Sequence, residues 1–189
     1  MKIVARMAGI TFGVMMLALS FAIAAETLLR KFFAYSFGGI DELGGYAVAI
    51  AGPLAFTVAA VEQAHIRINL LHGRLPEAAR GVLNVVAAVS LALLALFLLY
   101  FTIRTVQDTS AYRSIAQTPW ATPLIYPQAV WLAAMGVFAA AALVLALQAL
   151  RCLARRDWAV LDRRFGPGSA EAELQAELDD LEKRREPQP

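Results

Sequence analysis

Few residues of this chain are of a type that does chemistry, and most of them lie between long apolar runs. His65 and His72 are its 2 histidines, and both fall in one short segment, Glu62-Gln-Ala-His65-Ile-Arg67-Ile-Asn69-Leu-Leu-His72. Haem ligation by two imidazoles needs them on facing helices. A metal site from this pair alone lacks the further donors such a site takes. Neither chemistry is expected. Glu26 and Arg30 stand four apart with the acid first, the favourable order for an ion pair along one helix face. Asp41 and Glu42 open an apolar run, where Asp41 can cap a helix and both acids answer the positive end of its dipole. Each group has two readings, helix-end chemistry or, through Arg30 and Glu42, contact with another subunit. The single Cys152 forms no internal disulfide and says nothing of the redox compartment.

The elements that must position these residues follow from composition. The 189 residues are 59% hydrophobic and 17% charged, against roughly 45–50% and about 25% in globular domains. A chain this short has no core large enough to hide that excess. It must face lipid, which excludes a soluble enzyme, a disordered chain and a disulfide scaffold. A spanning helix needs about 20 apolar residues. The charges leave four such stretches, 7–25, 43–61, 81–103 and the long run 114–150. Glu26-Thr-Leu-Leu-Arg30 continues the first, so its helix extends to about 29. Pro119, Pro123 and Pro127 crowd the front of the last, so its helix starts near 127. A cleaved signal peptide is the competing reading of the first run, but its apolar segment exceeds the usual 7–15 residues.

The expected fold is an all-α integral membrane protein with a four-helix transmembrane domain over 1–155, its spans at about 7–29, 43–61, 81–103 and 127–150. Lys and Arg concentrate on one side: 13 of the 17 fall in the N-terminus, the middle loop and the tail if both termini are cytoplasmic. The positive-inside rule therefore places both termini in the cytoplasm. Residues 156–189 form a cytoplasmic tail, partly helical. Within it, 169–185 reads as a short soluble C-terminal helix with Leu174, Leu178 and Leu181 on one stripe. Phe32, Phe33, Tyr35 and Phe37, and then Trp120, Tyr126 and Trp131, suit headgroup depth.

None of the uncharged stretches holds Asp, Glu, Lys, Arg or His, the groups that usually mark ion pathways and proton relays. Ser20, Thr57, Asn84 and Ser90 are too scattered for a sodium site of hydroxyls and carbonyls. Packing features are present instead. Gly9-x-x-x-Gly13 predicts a close helix approach. Gly52-Pro53 predicts a bend near Ala49, either gating or fitted to a partner. Pro76 and Glu77 open the third span. Between spans two and three, Ile66, Ile68 and Leu70 alternate with Arg67 and Asn69, which suits an extended segment along the interface.

These residues, taken in order, resemble a known family. Arg30 follows span one, Asp41-Glu42 opens span two, and Gly52 lies within it. Then come His65-Ile-Arg67-Ile-Asn69-Leu-Leu, Leu75-Pro76 and Thr122-Pro123. The pattern, over about 2–151, resembles the small DctQ-like membrane subunit of tripartite ATP-independent periplasmic (TRAP) transporters. It departs at Asn69, where an aspartate is expected, and at Glu26, where an asparagine is common. The resemblance implies a non-catalytic subunit without cofactor or metal, multi-pass in the bacterial inner membrane. It implies a large permease that carries substrate and sodium, a periplasmic binding protein that delivers an organic acid anion, and a small subunit that braces the scaffold. Membrane lipid completes the expected partners; nucleic acid is not among them. Candidate interface residues are Glu26, Arg30, Asp41 and Glu42 on the outer side, and His65, Arg67 and Asn69 on the cytoplasmic side. Gly52 and Pro53 join them as shaping residues. The rival readings are an independent small oligomeric transporter or channel, and a membrane anchor of an oxidoreductase.

Overall fold

The computed structural model describes residues 1–63, 75–165 and 178. Four of its helices are long and apolar enough to cross a membrane: α1 (Lys2–Phe33), α2 (Ile40–Glu62), α3 (Glu77–Tyr112) and α4 (Ile125–Ala154). A short α5 (Trp158–Phe165) follows. The expected tail helix over 169–185 lies outside the described residues, Leu178 apart.

The helices overrun the expected spans, because charge marks where an apolar run stops and not where a helix must. At about 1.5 Å per residue, the 32 residues of α1 exceed a hydrocarbon core of about 30 Å. Its last turn holds Arg30 and Lys31, favourable at the negative end of the dipole, before Ala34 turns left-handed at φ 52°. α2 begins before Leu43 because Gly39 supplies its N-cap. The expected Asp41 cap is not formed; Asp41 and Glu42 both lie in the first turn. α3 runs nine residues beyond Ile103 to Tyr112, where the left-handed Arg113, φ 49°, stops it. α4 starts two residues before Pro127, which sits in the first turn, where a missing N–H breaks no intrahelical bond.

The described residues form two compact units, 1–63 with 90–145 and 75–89 with 146–165. The first has an interior dominated by small side chains, alongside Met135, Phe138 and Leu145. Ala5 and Ala8 of α1, Ala51 and Ala60 of α2, Ala92 and Ala95 of α3, and Ala134, Ala139, Ala141 and Ala142 of α4 are buried. Phe56 and Phe138 join α2 to α4 with ring centroids 5.6 Å apart. Bulky residues lie outside: Ile3, Met7, Ile10, Val14, Leu17 and Phe21 of α1 are exposed. Small inside and large apolar outside is untenable in water, which tolerates no such continuous patch, and normal in lipid. Only 6% of the apolar window of α1 is buried within the chain, against 44% for α4.

Two expected packing features take a different form. A Cβ on Gly9 would lie an ordinary 3.6 Å from Val58, and one on Gly13 would meet nothing within 4 Å. The small pair therefore marks where α1 passes α2 without demanding glycine. Pro53 is buried inside an unbroken α2, and the buried Thr57 hydroxyl donates to its carbonyl at 2.8 Å. Gly52 has open space around it.

In the second unit, α5 packs on the start of α3. Leu161 and Phe165 are 0% and 1% exposed. A Cβ on Gly81 would come within 2.7 Å of the Trp158 ring, so glycine is what lets the indole lie there. Trp158, Leu161 and Phe165 follow helical spacing that the reading of the tail passed over.

Candidate functional site

The polar groups of the first unit gather where α1 ends, α2 begins and the 113–124 loop joins α3 to α4. Glu26 is in the next-to-last turn of α1. One of its oxygens accepts from the Ser36 hydroxyl and the other from the Phe37 N–H at 2.9 Å. Ser36 in turn accepts from the Gly38 N–H at 3.1 Å. One carboxylate thus stitches the chain reversal at 34–39 back onto the helix it leaves. The expected pairing with Arg30 survives only as an attraction between nearby charges, because both Glu26 oxygens accept hydrogen bonds from the loop.

Glu42 performs the second stitch. Although on the first turn of α2, it is only 6% exposed. It accepts from the Tyr46 hydroxyl at 2.7 Å, one turn along the same helix, and from the Thr118 hydroxyl. The Thr122 hydroxyl and N–H also donate toward it. The carboxylate therefore anchors the far loop at two points.

That loop is prepared for the contact by its own backbone. Ile115 and Pro123 form an antiparallel bridge, with Ala116 N–H donating to Thr122 O at 2.9 Å and Leu124 N–H to Ser114 O at 3.1 Å. At its tip the Ala121 N–H donates to Thr118 O at 3.0 Å, closing a turn with Pro119 in the second position, where a fixed φ is favourable. The turn presents Trp120, whose indole N–H donates to Phe37 O at 3.0 Å. The ring lies over Gly39 so closely that a Cβ there would collide with it. Gly38 beside it is left-handed at φ 70°. Two adjacent glycines thus serve the crossing, one for its turn and one for its clearance.

Of the sequence-selected residues, Glu26, Arg30 and Asp41 come together around one cleft of about 360 Å³, with Thr27 and Ser36. Arg30 and Asp41 are exposed there. Glu42 is directed away, into the far loop. Gly52 and Pro53 lie further along α2 and take no part. His65, Arg67 and Asn69 lie outside the described residues. Sequence reasoning missed Tyr46 and Thr118, and it placed Trp120 at headgroup depth without its partner Phe37. Only Tyr46 carried a signal, its spacing of four from Glu42 on one helix face.

The arrangement brings hydroxyls to two carboxylates, Ser36 to Glu26, and Tyr46 and Thr118 to Glu42. Glu26 and Glu42 are occupied as acceptors, while Arg30 and the third acid, Asp41, stand open at the cleft. It is built to fix a surface. A model of the family described as tripartite ATP-independent periplasmic transporters, DctQ component, matches residues 19–152. No curated protein matches the chain.

Proposed function

The chain belongs to the DctQ family of TRAP transporter components, and from that membership we propose that it braces a large permease in sodium-coupled, binding-protein-dependent import of an organic acid anion. A DctQ component is a multi-pass membrane subunit of a tripartite transporter. In this proposal the membrane is the bacterial inner membrane, both termini are cytoplasmic, and the subunit performs no chemistry of its own. The observation that carries the reading is the use of Glu26 and Glu42: both are held by the chain's own loops. A transport site needs groups that can exchange partners during a cycle, and a brace needs the reverse.

The outer surface is then the stitched end, with the exposed Arg30 and Asp41 offering charge to a neighbour and Glu26 and Glu42 keeping their loops in place. Gly52 and Pro53 shape α2 for its neighbour, and His65, Arg67 and Asn69 belong to the cytoplasmic-side contacts. The test is uptake of an organic acid anion into vesicles with the binding protein present. Uptake requires a sodium gradient and both membrane chains. Undiminished uptake by the large chain alone would refute the brace, and solute flux through the isolated small chain would refute its passive role.

A further inference from the structure

The chain between α4 and α5 carries charge that no described residue partners. Arg151 lies in the last turn of α4, and Arg155 and Arg156 follow in the turn after it. All three are exposed, and their guanidinium groups have no hydrogen-bond or ion-pair partner among the described residues. Asp157 is the one acid between Arg151 and Leu161. Arg156 is left-handed at φ 57°, and its N–H donates to Leu153 O at 3.0 Å, which ends α4 and redirects the chain into α5.

Depth decides what these charges meet. Leu150 is the last residue of the uncharged run, so all three arginines fall within about 9 Å of its end along a helix axis. That distance spans the headgroup layer, which adds roughly 5–8 Å to each side of the hydrocarbon, and reaches its outer edge. The apolar side of α5 is occupied, since Leu161 and Phe165 are buried and Trp158 lies on Gly81. Val160 remains 47% exposed. An aromatic ring, an exposed aliphatic side chain and three arginines within the ten residues 151–160 are the composition of an interfacial segment. Arginine beyond a last span also sets orientation, but that role needs only charge in the emerging chain. Here the folded turn gathers the charges in one place.

We propose that Arg151, Arg155 and Arg156 bind the phosphate groups of anionic phospholipids in the adjoining leaflet, with Val160 seated at the edge of the acyl region. Guanidinium matches phosphate with paired donors, and a basic residue at an anionic surface contributes up to about fivefold in partitioning. The site requires no other subunit, so it stands or falls separately from the transport reading.

The test incubates the purified full-length chain in detergent with an equimolar mixture of phosphatidylglycerol and phosphatidylcholine, and native mass spectrometry reads the lipid retained. Wild type retains phosphatidylglycerol in preference, by about fivefold or more, and the preference weakens with added salt. Substituting R151Q, R155Q and R156Q together brings the ratio to near one at unchanged helix content, whereas the three Arg→Lys changes keep a preference. Equal retention by wild type, or a preference indifferent to salt or to the Gln changes, overturns the proposal. Should the Gln variant fail to fold, the wild-type ratio and its salt dependence decide. A preference seen only after removal of residues 170–189 would assign the arginines to the chain's own acidic tail, and would also overturn it.

Discussion

The carboxylate of Glu42 and the hydroxyl of Thr118, 76 positions apart in the chain, meet in one hydrogen bond. Through it the first turn of α2 holds the loop between α3 and α4. Tyr46 and Thr122 complete the set of donors around the same acid.

Replacing Glu42 by Ala leaves those hydroxyls facing a space without an acceptor, and the unfolding temperature in detergent falls. Thr118→Val removes one donor and keeps the volume, and is expected to destabilise by about 1 kcal/mol. In the double variant the two losses are less than additive, because one interaction is counted in both single changes. A thermal-unfolding double-mutant cycle measures this; strict additivity would separate the two residues.

Gly39→Ala sets a methyl group into the Trp120 indole. Overpacking of this kind is expected to destabilise by about 1–3 kcal/mol. The same change in a Trp120→Ala background is nearly neutral, since the collision is gone. Thermal unfolding of the four proteins checks it, and an equal loss in both backgrounds contradicts it.

How much of this was legible in advance differs from residue to residue. The four spans were, because a helix in hydrocarbon cannot carry charge cheaply and the charges therefore bracket it. The DctQ resemblance was also readable, through the order Arg30, Asp41-Glu42, Gly52, Thr122-Pro123. The ends were not: Arg104 stops an apolar run, yet α3 continues to Tyr112, since helix formation tolerates what membrane burial forbids. Glu42 was singled out for a helix-end role, but its partner Thr118 is distant in sequence and carries no local mark. Arg30 was expected to pair with Glu26, and the nearby Ser36 hydroxyl and Phe37 N–H, invisible to a spacing rule, took the acid instead.

Arg30→Glu tests the exposed side of the cleft. With only a solvent-exposed attraction to Glu26 to lose, the isolated chain is expected to change in stability by about 0.5 kcal/mol or less. Recovery of the large permease or the binding protein in a pull-down, and uptake with it, is expected to fall. Unaltered assembly and uptake would remove Arg30 from the contact surface.

Gly81→Leu fills the place where Trp158 lies. The indole is expelled and α5 leaves α3, at an expected loss of about 1–3 kcal/mol. With Trp120 and Trp131 replaced by Phe, the emission of Trp158 reports the change as a shift to longer wavelength. An unshifted spectrum would mean that α5 has another hold.

An interior of alanine has a mechanical corollary. A methyl group has no χ angle to rotate, so the buried Ala51, Ala92, Ala139 and Ala142 add no second rotameric arrangement to the interior they share with Met135, Phe138 and Leu145. Switching proteins depend on such alternative packings to store two shapes. Where alanine lines its interior, this one has few places to keep a second shape.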